Sequence, residues 1–215
     1  MEDTLSLFTG TGTEYEGTPI LGDISTDLFD DGKPSVASFE DKTLVAWRKN
    51  SGDYTNELGG RIFVSEFDGS NWSAPVTITA DANFNSDPVV GYDSSGNVTV
   101  VWPQSSSAGL TGSSSIVDVQ AATETSQIMY SRREADTWSD PAPIAAMTGS
   151  NASLSMTSGG PYMVAVWVRS ENGNSEILSS KYTSSWSEPI RVSTSLLAQE
   201  PVITRTSSKY IVVWS

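Results

Sequence analysis

A strand-like segment that ends in tryptophan occurs four times in this chain, and it constrains the fold more than any other feature. The first copy reads Leu44-Val45-Ala46-Trp47. A run of aliphatic and β-branched residues that ends in a large aromatic residue favours a strand over a helix. A short turn precedes each copy, and in three copies a proline-led apolar segment precedes that turn. The four tryptophans are Trp47, Trp102, Trp167 and Trp214.

A second tryptophan series lies between the members of the first, in the pattern Trp-Ser-x-Pro at Trp72, Trp138 and Trp186. The step from Trp102 to Trp167 differs by one residue from the step from Trp72 to Trp138, so both series belong to one repeating unit. Four short antiparallel strands, repeated every 45–65 residues or so, form the blade of a β-propeller. The sequence therefore predicts an all-β fold, a β-propeller of four-stranded antiparallel blades. Tryptophans repeated in this way are expected to pack between blades.

The repeat boundaries predict a single propeller domain over residues 1–215. The chain ends after the second strand of a fourth copy, and its first residues resemble the missing third and fourth strands. We therefore expect one blade to be split between the N- and C-termini, because closure removes exposed sheet edges. A ring shared by two chains, or a piece of a larger propeller, is the alternative. The expected segments are a half blade at 1–26, blades at 34–80, 87–147 and 152–194, and a half blade at 200–215.

The longest variable loop, at about 103–125, is rich in serine and glycine. Within it, Ile116-Val117-Asp118-Val119 predicts a short strand because two of its residues are valine and one is isoleucine. No segment sustains the apolar period of 3.6 residues that marks an amphipathic helix, so almost no helix is expected.

Composition excludes several functions. The chain has 26 acidic and 12 basic residues, a formal net charge of −14, which disfavours nucleic acid as a partner. It has no histidine, the commonest general base and transition-metal ligand, and no cysteine. No apolar run approaches the roughly 18 residues of a membrane span, so no membrane insertion is expected. The N-terminus does not read as a signal peptide, but the acidic composition suits a secreted or cell-surface protein.

The repeat resembles the Asp-box (BNR) repeat of sialidase-like β-propellers, roughly Ser-x-Asp-x-Gly-x-x-Trp. In the nearest copy, Ser65, Gly69 and Trp72 are in place and Asp68 is displaced by one position. The second copy keeps its serine and tryptophan, and the third keeps only the outline, so the repeats are degenerate.

The resemblance implies the propeller fold but not the sialidase reaction. Sialidases place three arginines on the substrate carboxylate and use an Arg-Ile-Pro segment, a Tyr–Glu nucleophile pair and an acid/base Asp. Here Arg61-Ile62-Phe63 lacks the proline and falls in a third strand, and no arginine triad is evident. We assign no catalytic residue.

Loops between second and third strands, and connections between blades, should emerge on one face, which is the usual functional face of a propeller. A glycan or protein ligand is expected there. The candidate ligand-binding residues are Arg48, Asp53, Tyr54, Glu57, Arg169 and Glu171.

Carboxylates on the same face could bind Ca²⁺, which takes about 6–8 oxygen ligands. A solvated acidic rim is the alternative, and no other cofactor is expected. The candidate metal ligands are Asp27, Asp30, Asp31, Asp81 and Asp87.

The leading functional hypothesis is a non-enzymatic binding or scaffold module of a secreted or cell-surface protein. The first alternative is a glycoside-acting enzyme of sialidase-like type. The second is a structural or engineered propeller fragment that assembles into a larger ring, for example as a homodimer.

Overall fold

The computed structural model describes residues 31–50, 60–79, 83–106, 110–111 and 113–215. It also gives the backbone of two short strands near the N-terminus, β1 (Leu7–Phe8) and β2 (Glu14–Tyr15), which pair antiparallel. Strands dominate the described part of the chain, which confirms the all-β prediction.

The first four-stranded antiparallel sheet, sheet I, contains the first copy of the repeat. Its order is β3 (Asp31–Phe39), β4 (Lys42–Asn50), β5 (Gly60–Phe67) and β6 (Val76–Thr77). The two-residue strand β7 (Phe84–Asn85) then connects sheet I to sheet II, because it pairs parallel with β5 at Gly60 and antiparallel with the second strand of sheet II.

Sheet II repeats this order with β8 (Val89–Tyr92), β9 (Val98–Ser105) and β10 (Ser126–Glu134). Two short strands, β11 (Thr137–Trp138) and β12 (Ala142–Pro143), pair with the outer edge of β10.

Sheet III is a complete four-stranded sheet, and sheet IV has two strands. Sheet III contains β13 (Ser150–Met156), β14 (Met163–Glu171), β15 (Asn174–Tyr182) and β16 (Ile190–Arg191). Sheet IV pairs β17 (Val202–Arg205) with β18 (Tyr210–Val213).

Helix α1 (Ile116–Thr123) occupies the loop where a short strand was predicted, and that prediction was wrong. Ser115 caps the helix: its hydroxyl accepts the Asp118 N–H at 3.2 Å, and the Asp118 carboxylate accepts the Ser115 N–H at 3.2 Å. This capping box satisfies N–H groups that a helix start otherwise leaves without partners. Local capping therefore prevails over the strand preference of its valines.

Apolar side chains fill the space between consecutive sheets. Trp102 packs with the apolar residues of sheet I, Trp167 with those of sheet II, and Trp214 with those of sheet III. Burying a large aromatic side chain contributes about 2–3 kcal/mol. Trp102, Trp167 and Trp214 therefore hold neighbouring sheets together, as the repeat predicts.

A hydrogen-bonded latch accompanies two of these tryptophans. The Trp102 indole N–H donates to Asn85 Oδ1 at 2.7 Å, and Asn85 Nδ2 donates to the Gly60 carbonyl of sheet I at 2.7 Å. In the same way Trp167 donates to Asn151 Oδ1 at 3.0 Å, and Asn151 Nδ2 donates to the Ser126 carbonyl at 2.7 Å. Each latch ties a sheet to the third strand of the preceding one.

The other two copies of the repeat depart from this latch. In sheet I the residue equivalent to Asn151 is Asp31. In the strand register Asp31 lies opposite Lys49, just as Asn151 lies opposite Arg169. The Trp47 indole nitrogen is buried and has no hydrogen-bond partner among the described residues. Ala198 stands at this position before sheet IV.

The Trp-Ser-x-Pro turns close the outer edge of each complete sheet. A third-strand serine donates its hydroxyl to the carbonyl of the turn serine at 2.6–2.8 Å. The next backbone N–H donates to the hydroxyl of the turn serine at 3.0–3.1 Å. These bonds explain why serine recurs at both places. The serine pairs are Ser65–Ser73, Ser131–Ser139 and Ser180–Ser187.

Charged side chains join the sheets near the same turns. Arg132 forms an ion pair with Asp93 at 2.5 Å and lies 4.7 Å from the ring centre of Tyr182 in sheet III. Burial acts to raise the pKa of Asp93, but the Arg132 guanidinium and the N–H groups of the adjacent turn outweigh it, so this pKa lies below its ordinary value. Arg133 pairs with Glu66 of sheet I, which also accepts the Tyr92 hydroxyl at 3.1 Å.

The latch predicts a large effect of Asn151→Ala. The change leaves the Trp167 N–H and the Ser126 carbonyl without their buried partner, and we expect a loss of about 2–4 kcal/mol in the free energy of unfolding. Urea titration followed by tryptophan fluorescence measures it. The control, Asn174→Ala at an exposed position, should change the free energy by less than about 0.5 kcal/mol. Equal losses in both variants would contradict the latch.

The Asp93–Arg132 pair predicts a pH dependence of stability. Because the folded-state pKa of Asp93 lies below the unfolded value of about 3.9, the pair stabilises the fold above that value and loses its effect as the pH falls through the folded-state pKa. The free-energy difference between wild type and Asp93→Asn should therefore be constant from about pH 7 to pH 5 and shrink below about pH 4. A difference that stays constant under acid would contradict this assignment. Asp140→Asn, in an exposed turn, is the matched control.

Candidate functional site: a pocket on the loop face

The starts of the third strands and the connections between sheets meet at one end of the molecule, here called the loop face. The Gly60 N–H donates to the Asn83 carbonyl at 3.0 Å, and the Ser126 N–H donates to the Gly149 carbonyl at 3.0 Å. Ser175 repeats the contact with the Leu196 carbonyl at 2.7 Å. Both kinds of loop therefore lie at the same end, as the sequence predicts.

The inner strand of every sheet begins on this face with the same unusual backbone. Lys33, Asp87, Ser153 and Glu200 occupy equivalent positions, each two residues after the latch position, with φ values of 51°, 40°, 52° and 50°. A positive φ is uncommon for residues other than glycine, and such strain concentrates at functional sites. The repeat therefore sets four side chains, three of them charged, at matching places on the loop face.

A cavity of about 270 Å³, here called the upper pocket, opens between sheets I, II and III. It lies beside both latches, since Asn85 and Asn151 line it. Pro103, Ala152, Gly60 and Ser126 form part of the wall, and six further residues complete the lining. These six are Arg48, Phe84, Ser86, Ser105, Thr123 and Ser150.

Arg48 supplies the positive charge of the upper pocket. Its backbone lies in β4 between Gly32 and Ile62 of the neighbouring strands. A Cβ atom on Gly60 would lie 2.9 Å from Arg48 Cγ, and one on Gly32 would lie 3.1 Å from Nη2. The two glycines therefore make the room in which the arginine side chain lies.

The polar groups of the upper pocket divide into two sets. The amides of Asn85 and Asn151 are consumed by the latches. The hydroxyls of Ser86, Ser105 and Ser150 form no side-chain hydrogen bond to the described residues, so they can serve a ligand. Together with a guanidinium and the Phe84 ring, the pocket suits a hydroxyl-rich molecule with one apolar face.

Of the three predicted ligand-binding residues that the structure describes, Arg48, Arg169 and Glu171, Arg48 alone lines this pocket. Arg169 instead pairs with Glu176 of β15, whose other carboxylate oxygen lies 3.3 Å from Arg191 Nε. Glu171 ends β14 beside the connection at Gly149. Asp53, Tyr54 and Glu57 lie outside the described residues.

The calcium prediction stays a prediction. Asp27, Asp30 and Asp81 lie outside the described residues, and Asp31 is described only by its backbone in β3. Asp87 is half-buried at the start of the inner strand of sheet II. Within the described ranges, no three acidic, histidine or cysteine side chains form a group that could hold a metal.

Sequence reasoning missed the serines of the upper pocket and the backbone strain beside it. One signal was available: Lys33, Asp87 and Glu200 each precede a proline, so a charged residue marks the start of three inner strands. The serines carried no such signal, because serine is abundant in every loop.

A second cavity, of about 450 Å³, runs along the inner strands and is called the channel here. Val36, Val89, Leu154 and Met156 contribute its apolar wall. Inner-strand serines close the gaps between sheets: Ser35 Oγ accepts the Val90 N–H at 3.2 Å, and Ser155 Oγ accepts the Ile203 N–H at 3.2 Å. The channel is thus the space that the inner strands surround.

No helix within the described ranges is long and apolar enough to cross a membrane.

Comparison with known proteins identifies the fold but not a family. No family model and no curated protein matches the chain. A Hadza microbial sialidase has 16% identity and a TM-score of 0.57, over 80% of this chain and 39% of that one. The Trypanosoma rangeli sialidase in complex with the inhibitor DANA has 9% identity and a TM-score of 0.56, over 97% and 37%.

A polysaccharide lyase of family PL25, an ulvan lyase, is similar at 8% identity with a TM-score of 0.58, over 81% of this chain and 44% of that chain. The chain thus spans less than half the length of each of these proteins. At such identities the likeness concerns the fold alone. The chain has the β-propeller fold of sialidases and related carbohydrate-active enzymes.

Proposed function

We propose that the protein binds a glycan in the upper pocket without transforming it. The observation that carries the proposal is Arg48, set between two glycines in a pocket whose serine hydroxyls form no side-chain hydrogen bond to the described residues. Sugar hydroxyls both donate and accept hydrogen bonds, which matches serine, and a guanidinium donates to neighbouring oxygens in pairs. The Phe84 ring offers a surface for the apolar face of a sugar.

The size of the pocket and the charge of the chain narrow the ligand class. A volume of about 270 Å³ is at the small end for ligand sites, which suits one end of an oligosaccharide rather than a whole chain. A net charge of −14 repels polyanions at long range. A neutral oligosaccharide is therefore the expected ligand. We expect the protein to meet such a ligand outside the cell.

Glycoside hydrolysis is the second candidate function. It rests on Asp87 and Glu200, two acidic residues whose backbones have a positive φ at equivalent positions of the repeat. Glycosidases use two carboxylates about 5–10 Å apart. Turnover of fluorogenic glycosides, lost in both Asp87→Asn and Glu200→Gln, would establish this function in place of simple binding.

Arg48→Gln tests the binding proposal. A screen of neutral and acidic oligosaccharides selects a binder, and calorimetry then measures its affinity. We expect Arg48→Gln to weaken binding at least tenfold, about 1.4 kcal/mol, because it removes the charged donor. Gly60→Ala should act in the same direction, since its Cβ would displace the arginine stem.

Lys209→Gln is the matched control, because it also removes one positive charge but lies on an exposed turn outside the pocket. It should leave the affinity unchanged. Equal weakening by Arg48→Gln and Lys209→Gln, or no effect of either, would contradict a site at Arg48.

A further inference from the structure

We propose that one face of helix α1 extends the upper pocket into a site for a longer neutral oligosaccharide. This face, called the helix stripe here, consists of Ile116, Val119 and Thr123, and it contacts the sugar rings that follow the one in the pocket. The inference rests on the glycan-binding function proposed above and names its ligand more closely, as a chain of two or more sugars.

The C-terminal end of α1 is fixed beside the upper pocket. Thr123, the last residue of the helix, is one of the residues that line the cavity. Strand β10 begins soon afterwards at Ser126, which also lines the cavity and whose N–H donates to the Gly149 carbonyl at 3.0 Å. A ligand that projects from the pocket past Thr123 therefore meets the helix.

The helix stripe runs from the pocket toward the N-terminal end of α1. Residues three or four positions apart lie on the same face of a helix, and Ile116, Val119 and Thr123 have this spacing. At a rise of about 1.5 Å per residue, the stripe is about 10 Å long. It is therefore long enough to contact further sugar rings beyond the one that the pocket holds.

The protein does not use the helix stripe for its own packing. No residue of α1 is buried, and Ile116 is 74% exposed. Among the described residues, the side chains of α1 form hydrogen bonds only within the helix and its cap. Short helices are marginal in water and usually owe their stability to a buried apolar face. An apolar stripe that stays exposed beside a pocket is thus available to a ligand.

The charges of α1 lie away from the helix stripe. Asp118 lies five residues before Thr123, about 140° around the helix axis from it, and its carboxylate accepts the Ser115 N–H. The stripe therefore offers apolar surface and one hydroxyl, which matches the apolar face and the hydroxyls of a neutral sugar. Its continuity with the serine hydroxyls of the upper pocket favours a sugar over an apolar peptide.

The helix is an addition to sheet II. In sheet III the connection between the second and third strands is the two-residue turn Asn172-Gly173, between the end of β14 and the start of β15. Helix α1 thus gives the loop face a surface that sheet III lacks.

The dependence of affinity on chain length tests the extension. The probes are glucose, xylose, arabinose and galactose with their linear disaccharides and trisaccharides, and calorimetry measures each Kd. We expect at least one series in which the trisaccharide binds about tenfold tighter than the monosaccharide, or better. Ile116→Asp should reduce that ratio about threefold or more, because a charged group replaces apolar surface on the stripe.

Val117→Asp is the matched control. Val117 is 66% exposed and lies outside the helix stripe, and the substitution adds the same charge in the same first turn. An acidic residue is compatible with a helix start at either position. The control should keep the wild-type ratio, and so should Ile116→Leu, which retains the apolar surface.

Several results would overturn the extension alone. These are a wild-type trisaccharide that binds no tighter than its monosaccharide, an unchanged ratio in Ile116→Asp, and an equal loss in Val117→Asp or Ile116→Leu. In each case binding that is weakened by Arg48→Gln would leave the pocket proposal intact. Absence of binding by every saccharide would overturn both proposals.

Discussion

The hydrogen bond from a second-strand tryptophan to an asparagine at or just before the start of the inner strand is the interaction on which this structure depends. Trp102 and Trp167 each bury a large ring between two sheets. Asn85 and Asn151 accept the indole N–H groups and bind the preceding sheet, so each fixes the position of one sheet against the other. The amide of each asparagine also holds the start of the preceding third strand. Because both asparagines line the upper pocket, the contact that joins the sheets also shapes the candidate site.

The outer-turn contacts and the candidate site lie at opposite ends of the strands. The serine-capped turns and the pairs Arg132–Asp93 and Arg133–Glu66 lie where the third strands end. The upper pocket lies where those strands begin. A strand of eight residues spans about 26 Å, so loop-face residues can vary with little effect on the contacts that hold the outer turns. This separation lets a propeller scaffold carry different ligands.

The repeat made the fold predictable. Most residues of the candidate site do not recur from one copy of the repeat to the next, so the sequence did not predict them. Two tryptophan series predicted the strands and their order within each repeat, because packing between sheets imposes the same residues at the same places. Arg48 was found since it follows Trp47 at the end of a second strand. Arg169 was expected on the same loop face, but Glu176 on the neighbouring strand pairs with it. Spacing along the sequence alone does not reveal such cross-strand pairing. Helix α1 was missed because the Ser115–Asp118 capping box outweighs valine's preference for strands.

Indole N–H resonances test the central claim most directly, because the latch couples particular tryptophans to the upper pocket. In a two-dimensional NMR titration with a neutral oligosaccharide, with signals assigned through single Trp→Phe variants, the account predicts shifts at Trp102 and Trp167. Trp72 and Trp138, at the outer turns, should not move. Shifts confined to Trp72 and Trp138 would place the ligand at the other end of the strands and contradict the account.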